Sequence, residues 1–333
     1  MTPSSSGSLP ATPLALVPAA LPVLDQRRKL LLALAGVYLI WSSTYLAMRY
    51  AVAGLPPLLM GGVRFITAGV VLLAILRARG LPLPPRRVWL WSLPAGALLF
   101  LVGNGFVALA ERKLSSGLAA VVCATMPLWA TALGLFTGAR ASRRELVGML
   151  LGLGGVALLG GGDLGAGGLE AVLLVLAPVG WALGSLLGRK LAGHGMMAAA
   201  TQMLCGGVLL LLTGLVLGER APASPSAAAL GALAYLIVFG SLLGFSAYTY
   251  LLQHARPALA MSYAHVNPAL AVVLGAALGE HVGPEAIAAT GLIAAAVAVM
   301  VTRRRPALAP AQGSGAADST HRVSAPEASR SAR

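Results

Sequence analysis

Charge is what this sequence has least of: Lys and Arg number 24, Asp and Glu 10, and charged residues make up 10% of the 333. An ordinary soluble domain carries roughly 25%. With 58% hydrophobic residues and a mean hydropathy of +0.84, the scarcity excludes a water-soluble globule. Cysteine is nearly absent too. Cys123 and Cys205 both fall in apolar runs, so no extracellular disulfide framework is built and both read as small packing residues. Aspartate occurs only at Asp25, Asp163 and Asp318. The run GGGD at 160–163 matches the Gly-x-Gly-Asp letters of intramembrane aspartyl proteases, but Asp25 and Asp318 lie in polar tails, so no second membrane acid completes a dyad. The same run continues as G-x-G-x-x-G to Gly165, yet it follows a membrane helix and no strand, and so reads as a turn. No His-Glu-x-x-His, Gly-x-Ser-x-Gly or Walker sequence is present. The expectation is a protein that is not an enzyme and binds no metal or cofactor.

What is present is apolar length. A helix needs about 20 apolar residues to cross the hydrocarbon core, and such segments lie near 30–50, 58–76, 88–110, 117–138, 146–162, 169–188, 198–217, 228–251, 258–279 and 285–302. The fifth is the shortest and richest in glycine. Open sheet edges cannot face lipid, so the fold class is an all-α polytopic membrane protein with ten transmembrane helices. Residues 1–29 and 303–333 mix Pro, Ser, Ala, Gly and Arg without periodicity and read as disordered tails. LALVPAALPVL at 14–24 has no basic region before it and is broken by prolines, which argues against a signal peptide.

Positive charge sets the orientation. With the amino end cytoplasmic, the inner loops and tails hold Arg27–Lys29, Arg77, Arg79, Arg86, Arg87, Arg140, Arg143, Arg144, Arg189, Lys190, Arg256 and Arg303–Arg305; the outer loops hold only Arg112, Lys113 and Arg220. Both termini are therefore expected inside. A basic rim facing anionic lipid accounts for the net charge of +14. Nucleic acid is not needed as a partner.

Two cassettes repeat the same frame. IWSSTYLAMRY (40–50) and GWALGSLLGRK (180–190) each place an arginine eight residues after a tryptophan, and Trp41 to Trp181 and Arg49 to Arg189 are both 140 residues apart. Pro127 in ATMPLWA and Pro268 in HVNPALA are 141 apart. An offset of five helices is odd, so the second copy enters the membrane the other way up. Inverted repeats of this sort are an architecture of secondary transporters, with the substrate near the midplane between the halves. The boundaries are expected at 30–162 and 163–302.

The residues also resemble a known family. WSSTYLAMRYAVAGLPPLLMGGVRF (41–65), GNGFVALAE (103–111), SGLAAVVCATMPLW (116–129), GWALGSLLGRK (180–190) and PALAMSYAHVNPALAVVLG (257–275) are similar to the EamA type of the drug/metabolite transporter superfamily, and within it to the YedA-like branch. The resemblance spans roughly 30–303. It implies two inverted five-helix repeats around a central cavity and export of small metabolites, amino-acid-like, or drugs across the bacterial inner membrane. Two departures stand out. Family members often end the fourth and ninth helices with Gly-Glu, whereas here the ninth has Gly279-Glu280 and the fourth Gly138-Ala139; the position of His265 is more often aromatic.

Trp41, Thr44 and Tyr45 can share one face of the first helix at i, i+3 and i+4, since each residue turns about 100°. That face is assigned to the cavity, with Trp181 and Ser185 at i and i+4 in the mirrored helix. The alternative is that Trp41 packs and the hydroxyls bond carbonyls one turn back. Asn104, between Gly103 and Gly105, serves either a ligand or an interhelical hydrogen bond. Glu111 is a candidate for binding a cation or a proton, with a solvated pair to Arg112 or Lys113 as the favoured alternative. Arg49 and Arg64 sit toward the outer helix ends, where they can snorkel or pair with a carbonyl, and Arg64 is expected to be structural. Tyr263, His265 and Asn267 form a polar stretch of the ninth helix; His265 titrates near neutrality and is a proton-relay candidate, although a packing histidine is the plainer reading. Pro127 and Pro268 remove one helical hydrogen bond each and are candidate hinges. The expectation is a transporter of small molecules in the lipid bilayer, compatible with a homodimer. A membrane-embedded small-ligand sensor or scaffold is the alternative, separated by measuring flux.

Overall fold

The computed structural model describes residues 25–136, 143–160, 167–255, 263–279 and 281–301. Both tails, the glycine turn at 161–166, Gly138-Ala139, Glu280 and the side chains of Pro127 and His265 lie outside the described residues. Among the described residues no β-strand occurs, as expected for a chain whose backbone must satisfy its own hydrogen bonds in lipid.

The helices are α1 (Gln26–Val52), α2 (Pro57–Ala78), α3 (Arg86–Gly96), α4 (Phe106–Ala110), α5 (Ser116–Cys123), α6 (Met126–Phe136), α7 (Arg143–Gly160), α8 (Leu169–Gly188), α9 (Gly195–Val216), α10 (Ala227–Tyr235), α11 (Gly244–His254), α12 (Tyr263–Ala277) and α13 (Pro284–Val301). Among the described residues, six stretches are long and apolar enough to cross a membrane: Gln26–Val52, Pro57–Ala78, Arg86–Ala110, Leu169–Gly188, Gly195–Val216 and Ala227–Leu251. Shorter apolar stretches follow at Ser116–Ala130, Val266–Ala277 and Pro284–Ala296. Leu39, Val70, Leu150 and Leu212 stand exposed along these helices, where lipid would cover them.

Two rods are not plain α-helix. α3 and α4 are joined by a π-helical stretch, Ala97–Gly105, and α10 and α11 by another, Leu236–Leu243. The two begin 139 residues apart, the same spacing within a residue as Trp41 and Trp181. π turns are rare and collect at functional positions because they displace a carbonyl from the regular ladder. A third interruption differs. The segment expected as one helix over 117–138 breaks into α5 and α6 at a turn at Ala124 and Thr125, one turn before Pro127, because proline cannot donate to the carbonyl at 123. Around Pro268 the helix α12 is unbroken.

Packing follows a simple rule of exchange. α2 packs on α9 and α7 on α13; α8 packs on the α3–α4 rod and on α5–α6, just as α1 packs on the α10–α11 rod and on α12. Swapping the first five rods for the last five leaves these pairings unchanged. Glycine permits the central seam. A Cβ on Gly62 would lie 2.8 Å from Leu211 Cβ and 2.9 Å from its Cα, and one on Gly207 would lie 2.8 Å from the Ile66 nitrogen, so neither α2 nor α9 can carry even alanine there without moving apart. The start of α2 is capped from a distance: Pro56 has no side chain to offer, and the Glu219 carboxylate accepts from Leu58 N at 3.1 Å and Leu59 N at 2.9 Å. This satisfies free amides at the positive end of the helix dipole.

Candidate functional site

A cavity of about 80 Å³ lies among α1, α2, the two π-bearing rods, the α5–α6 turn, α8 and α12. That is several times the roughly 10–15 Å³ one water needs, and well short of the roughly 300–1,000 Å³ of ligand pockets. The cavity is therefore small beside a ligand pocket.

Seven of the expected residues meet here. Trp41, Thr44 and Tyr45 on α1, Asn104 in the first π stretch, Trp181 on α8, and Tyr263 and Asn267 on α12 all line the cavity. The tryptophans found by the 140-residue offset touch each other, edge to face, with centroids 6.0 Å apart. Trp41 also meets the rings of Phe245, Tyr248 and Tyr263 at 6.3, 5.0 and 5.1 Å. Edge-on and tilted aromatic contacts of this kind each contribute about 0.5–1.5 kcal/mol beyond burial. Trp41 is thus both wall and packing centre. The same double role holds for Thr44, which lines the cavity while its hydroxyl donates to Trp41 O at 2.7 Å.

The π stretches explain how the polar groups reach inward. Asn104 Nδ2 donates to Leu99 O, five residues back, at 3.0 Å, and Gly240 O accepts from Trp41 Nε1 at 3.3 Å. Asn267 is anchored to α1, its Oδ1 lying 3.2 Å from Ser42 Oγ. Where α5 breaks, Thr125 Oγ1 covers Val122 O at 2.7 Å and accepts from Trp129 Nε1 at 3.2 Å.

Three expectations need correction. Ser185 does not border the cavity; it is half-buried on α8 one turn beyond Trp181. Glu111 is no solvated interfacial acid. It is 3% exposed, and Lys113, next but one in sequence, pairs at 2.7 Å with Glu170 at the start of α8. Arg64 does not snorkel. It is 5% exposed and lines the cavity, its Nε donating to Ser241 Oγ at 2.9 Å. Further wall residues that the sequence did not single out are Phe65, Phe100, Gly240 and Phe245. For Phe100 and Gly240 the signal was the 139-residue recurrence of a glycine-bearing apolar stretch, legible only once both stretches are known to be π-helical.

A second depression of about 720 Å³ lies among the loops after α1, α4 and α9, bordered by Pro56, Arg112, Glu219 and Ser226. Glu219 is occupied there by the cap on α2.

Apolar spans folded around an internal, partly polar cavity define an integral membrane protein of the transporter class. The chain belongs to the EamA-like transporter family, which matches it twice, over residues 28–161 and 168–302. It is 43% identical over 274 residues to the uncharacterized inner membrane transporter YedA of Escherichia coli strain K12, covering 81% of this chain and 89% of that protein. It is 25% identical over 290 residues to the uncharacterized transporter YvbV of Bacillus subtilis strain 168, covering 85% and 94%. A crystal structure with 22% sequence identity has the same fold at a TM-score of 0.61, covering 83% of this chain and 98% of the other.

Proposed function

We propose that this transporter is a secondary exporter of the inner membrane, with ten helices arranged as two inverted five-helix repeats, 30–162 and 163–302, between cytoplasmic tails 1–29 and 303–333. It carries small metabolites, amino-acid-like, or drugs by alternating access. The observation that carries the reading is the cavity walled by matching rods of both halves. Each half supplies one tryptophan, one π stretch and one proline-bearing helix to the same space. Exchange symmetry of this kind lets the two halves trade conformations, which is what opening first to one side and then to the other requires. Trp41, Thr44, Tyr45, Asn104, Trp181, Tyr263 and Asn267 contact the cargo. Glu111, buried near the cavity, and His265 on α12 are the proton-coupling candidates, and Pro127 and Pro268 the hinges.

Two experiments test this. An alkaline-phosphatase fusion after Gly167 is active if that turn is outside, as ten helices with an inner amino terminus demand; an expressed but inactive fusion overturns the topology. For function, amino acids, purines and cationic dyes are screened for thermal stabilisation of the purified protein. A stabilising solute should then cross proteoliposome membranes in a protein-dependent way. Stabilisation without flux favours a sensor or scaffold.

A further inference from the structure

We propose that Arg64 is an anion-recognition group of the central cavity and that its ligand is an organic acid: a carboxylate on a planar, apolar body. This rests on the transporter reading only in treating the ligand as cargo; the binding itself is tested without flux, so the two claims fail separately.

A guanidinium does not give up its charge at neutral pH, and burying it costs several kcal/mol unless a partner compensates. Arg64 is 5% exposed. Its Nε is held by the Ser241 hydroxyl at 2.9 Å, and its carbon stands 4.6 Å from the Phe65 ring centroid. Both partners are neutral. They fix the plane of the group and leave its outer edge open: among the described residues, the two terminal nitrogens make no hydrogen bond and no ion pair within 4 Å.

The fold makes room for the arrangement. A Cβ on Gly240 would lie 3.0 Å from Arg64 Nη2, so the second π stretch has glycine where the guanidinium passes. A second donor waits in the same wall, since Trp181 Nε1 is buried without an acceptor. The cavity thus offers a planar fork and an indole N–H that no acceptor among the described residues receives. Water can serve the small cavity. A carboxylate matches the fork geometrically, two parallel charge-assisted bonds being the strong form of this contact. The same wall carries the rings of Trp41, Phe100 and Phe245, which suit the flat apolar body of such an acid.

The test uses the full-length protein, purified in detergent, with benzoate, benzamide and benzylamine as probes of equal shape and different charge. Thermal stabilisation gives the affinity of each. Benzoate should bind at least about tenfold more tightly than benzamide, and benzylamine should not stabilise. Arg64→Gln should weaken benzoate by about ten- to a hundredfold, the size of lost hydrogen bonds to a charged group, and erase the preference over benzamide. Arg64→Lys should recover part of it. Ser241→Ala keeps the charge and frees its plane; it should weaken benzoate by several-fold, and supplies the answer if the Arg64 variants do not fold. Equal stabilisation by benzoate and benzamide in the unaltered protein would overturn the assignment. So would a folded Arg64→Gln protein that retains the preference.

Discussion

The two halves of the molecule share a frame and differ in what they place inside it. Each contributes a long first helix with a tryptophan at mid-length, a π-swollen third rod and a glycine seam between α2 and α9. Among the described residues only the first half puts a charged side chain in the cavity wall, Arg64. The position 140 residues after Arg64 is Leu204, which packs against Gly69 in the α2–α9 seam. The second half supplies rings and space instead: Trp181, Phe245, Tyr263 and Gly240. Duplication therefore accounts for the enclosure, and divergence at a few positions accounts for its polarity. The kinks diverged as well, since α5 and α6 are separate at Pro127 while α12 runs through Pro268.

The two tryptophans give the largest test of this asymmetry. Trp41 touches Trp181, Phe245, Tyr248 and Tyr263 and donates to Gly240 O, whereas Trp181 touches only Trp41 and Phe245 among these rings. Trp41→Ala should cost about 3–5 kcal/mol of unfolding free energy, the range for large core truncations, and Trp181→Ala clearly less. Chemical denaturation in detergent measures both; equal losses would mean that the halves pack the cavity symmetrically. Next comes the seam the halves share. Gly62→Ala and Gly207→Ala should each destabilise by about 1–3 kcal/mol through overpacking, while Gly231→Ala, whose added Cβ meets nothing within 4 Å, should be neutral or slightly stabilising. An unaffected Gly62 variant would show that α2 and α9 are not held as closely as described.

The buried acid Glu111 gives a smaller and more specific effect. If Glu111 competes with the ligand for Arg64, Glu111→Gln should tighten benzoate by about threefold to tenfold, the relief of a Coulombic interaction across a partly polar interior. If Glu111 instead holds Arg64 as a structural partner, the same variant lowers stability and leaves ligand affinity unimproved. The smallest stability change is expected at the prolines, under about 1 kcal/mol, because the structure around each has already accommodated its missing hydrogen bond. Their effect belongs in turnover, which Pro127→Ala should slow more than Pro268→Ala because only the former rejoins two helices.

The sequence made the enclosure legible more readily than its contents. Hydropathy placed α8 at 169–188, the same residues it occupies, and the 140-residue offset picked out two tryptophans that touch. The π stretches escaped because a π turn changes register and leaves composition alone; 97–105 reads as apolar as any α-helix of its length. Arg64 escaped because a position seven residues into a helix suits snorkelling, and only the arrival of Ser241 from a distant rod shows that it turns inward. Glu111 was misread through its neighbours Arg112 and Lys113. The true partner of Lys113 is Glu170, at the start of α8, a contact that depends on how the halves meet and on nothing local.

The claim that this cavity is the cargo site, reached in turn from both faces of the membrane, has a direct test in the accessibility of one position. With Cys123 and Cys205 replaced by alanine, Asn104→Cys places a thiol on the cavity wall. A small membrane-impermeant thiol reagent applied to right-side-out and inside-out vesicles should label it from either side, and saturating benzoate should slow both reactions. A thiol that reacts from neither side in the folded protein, or at a rate benzoate does not change, would contradict the account.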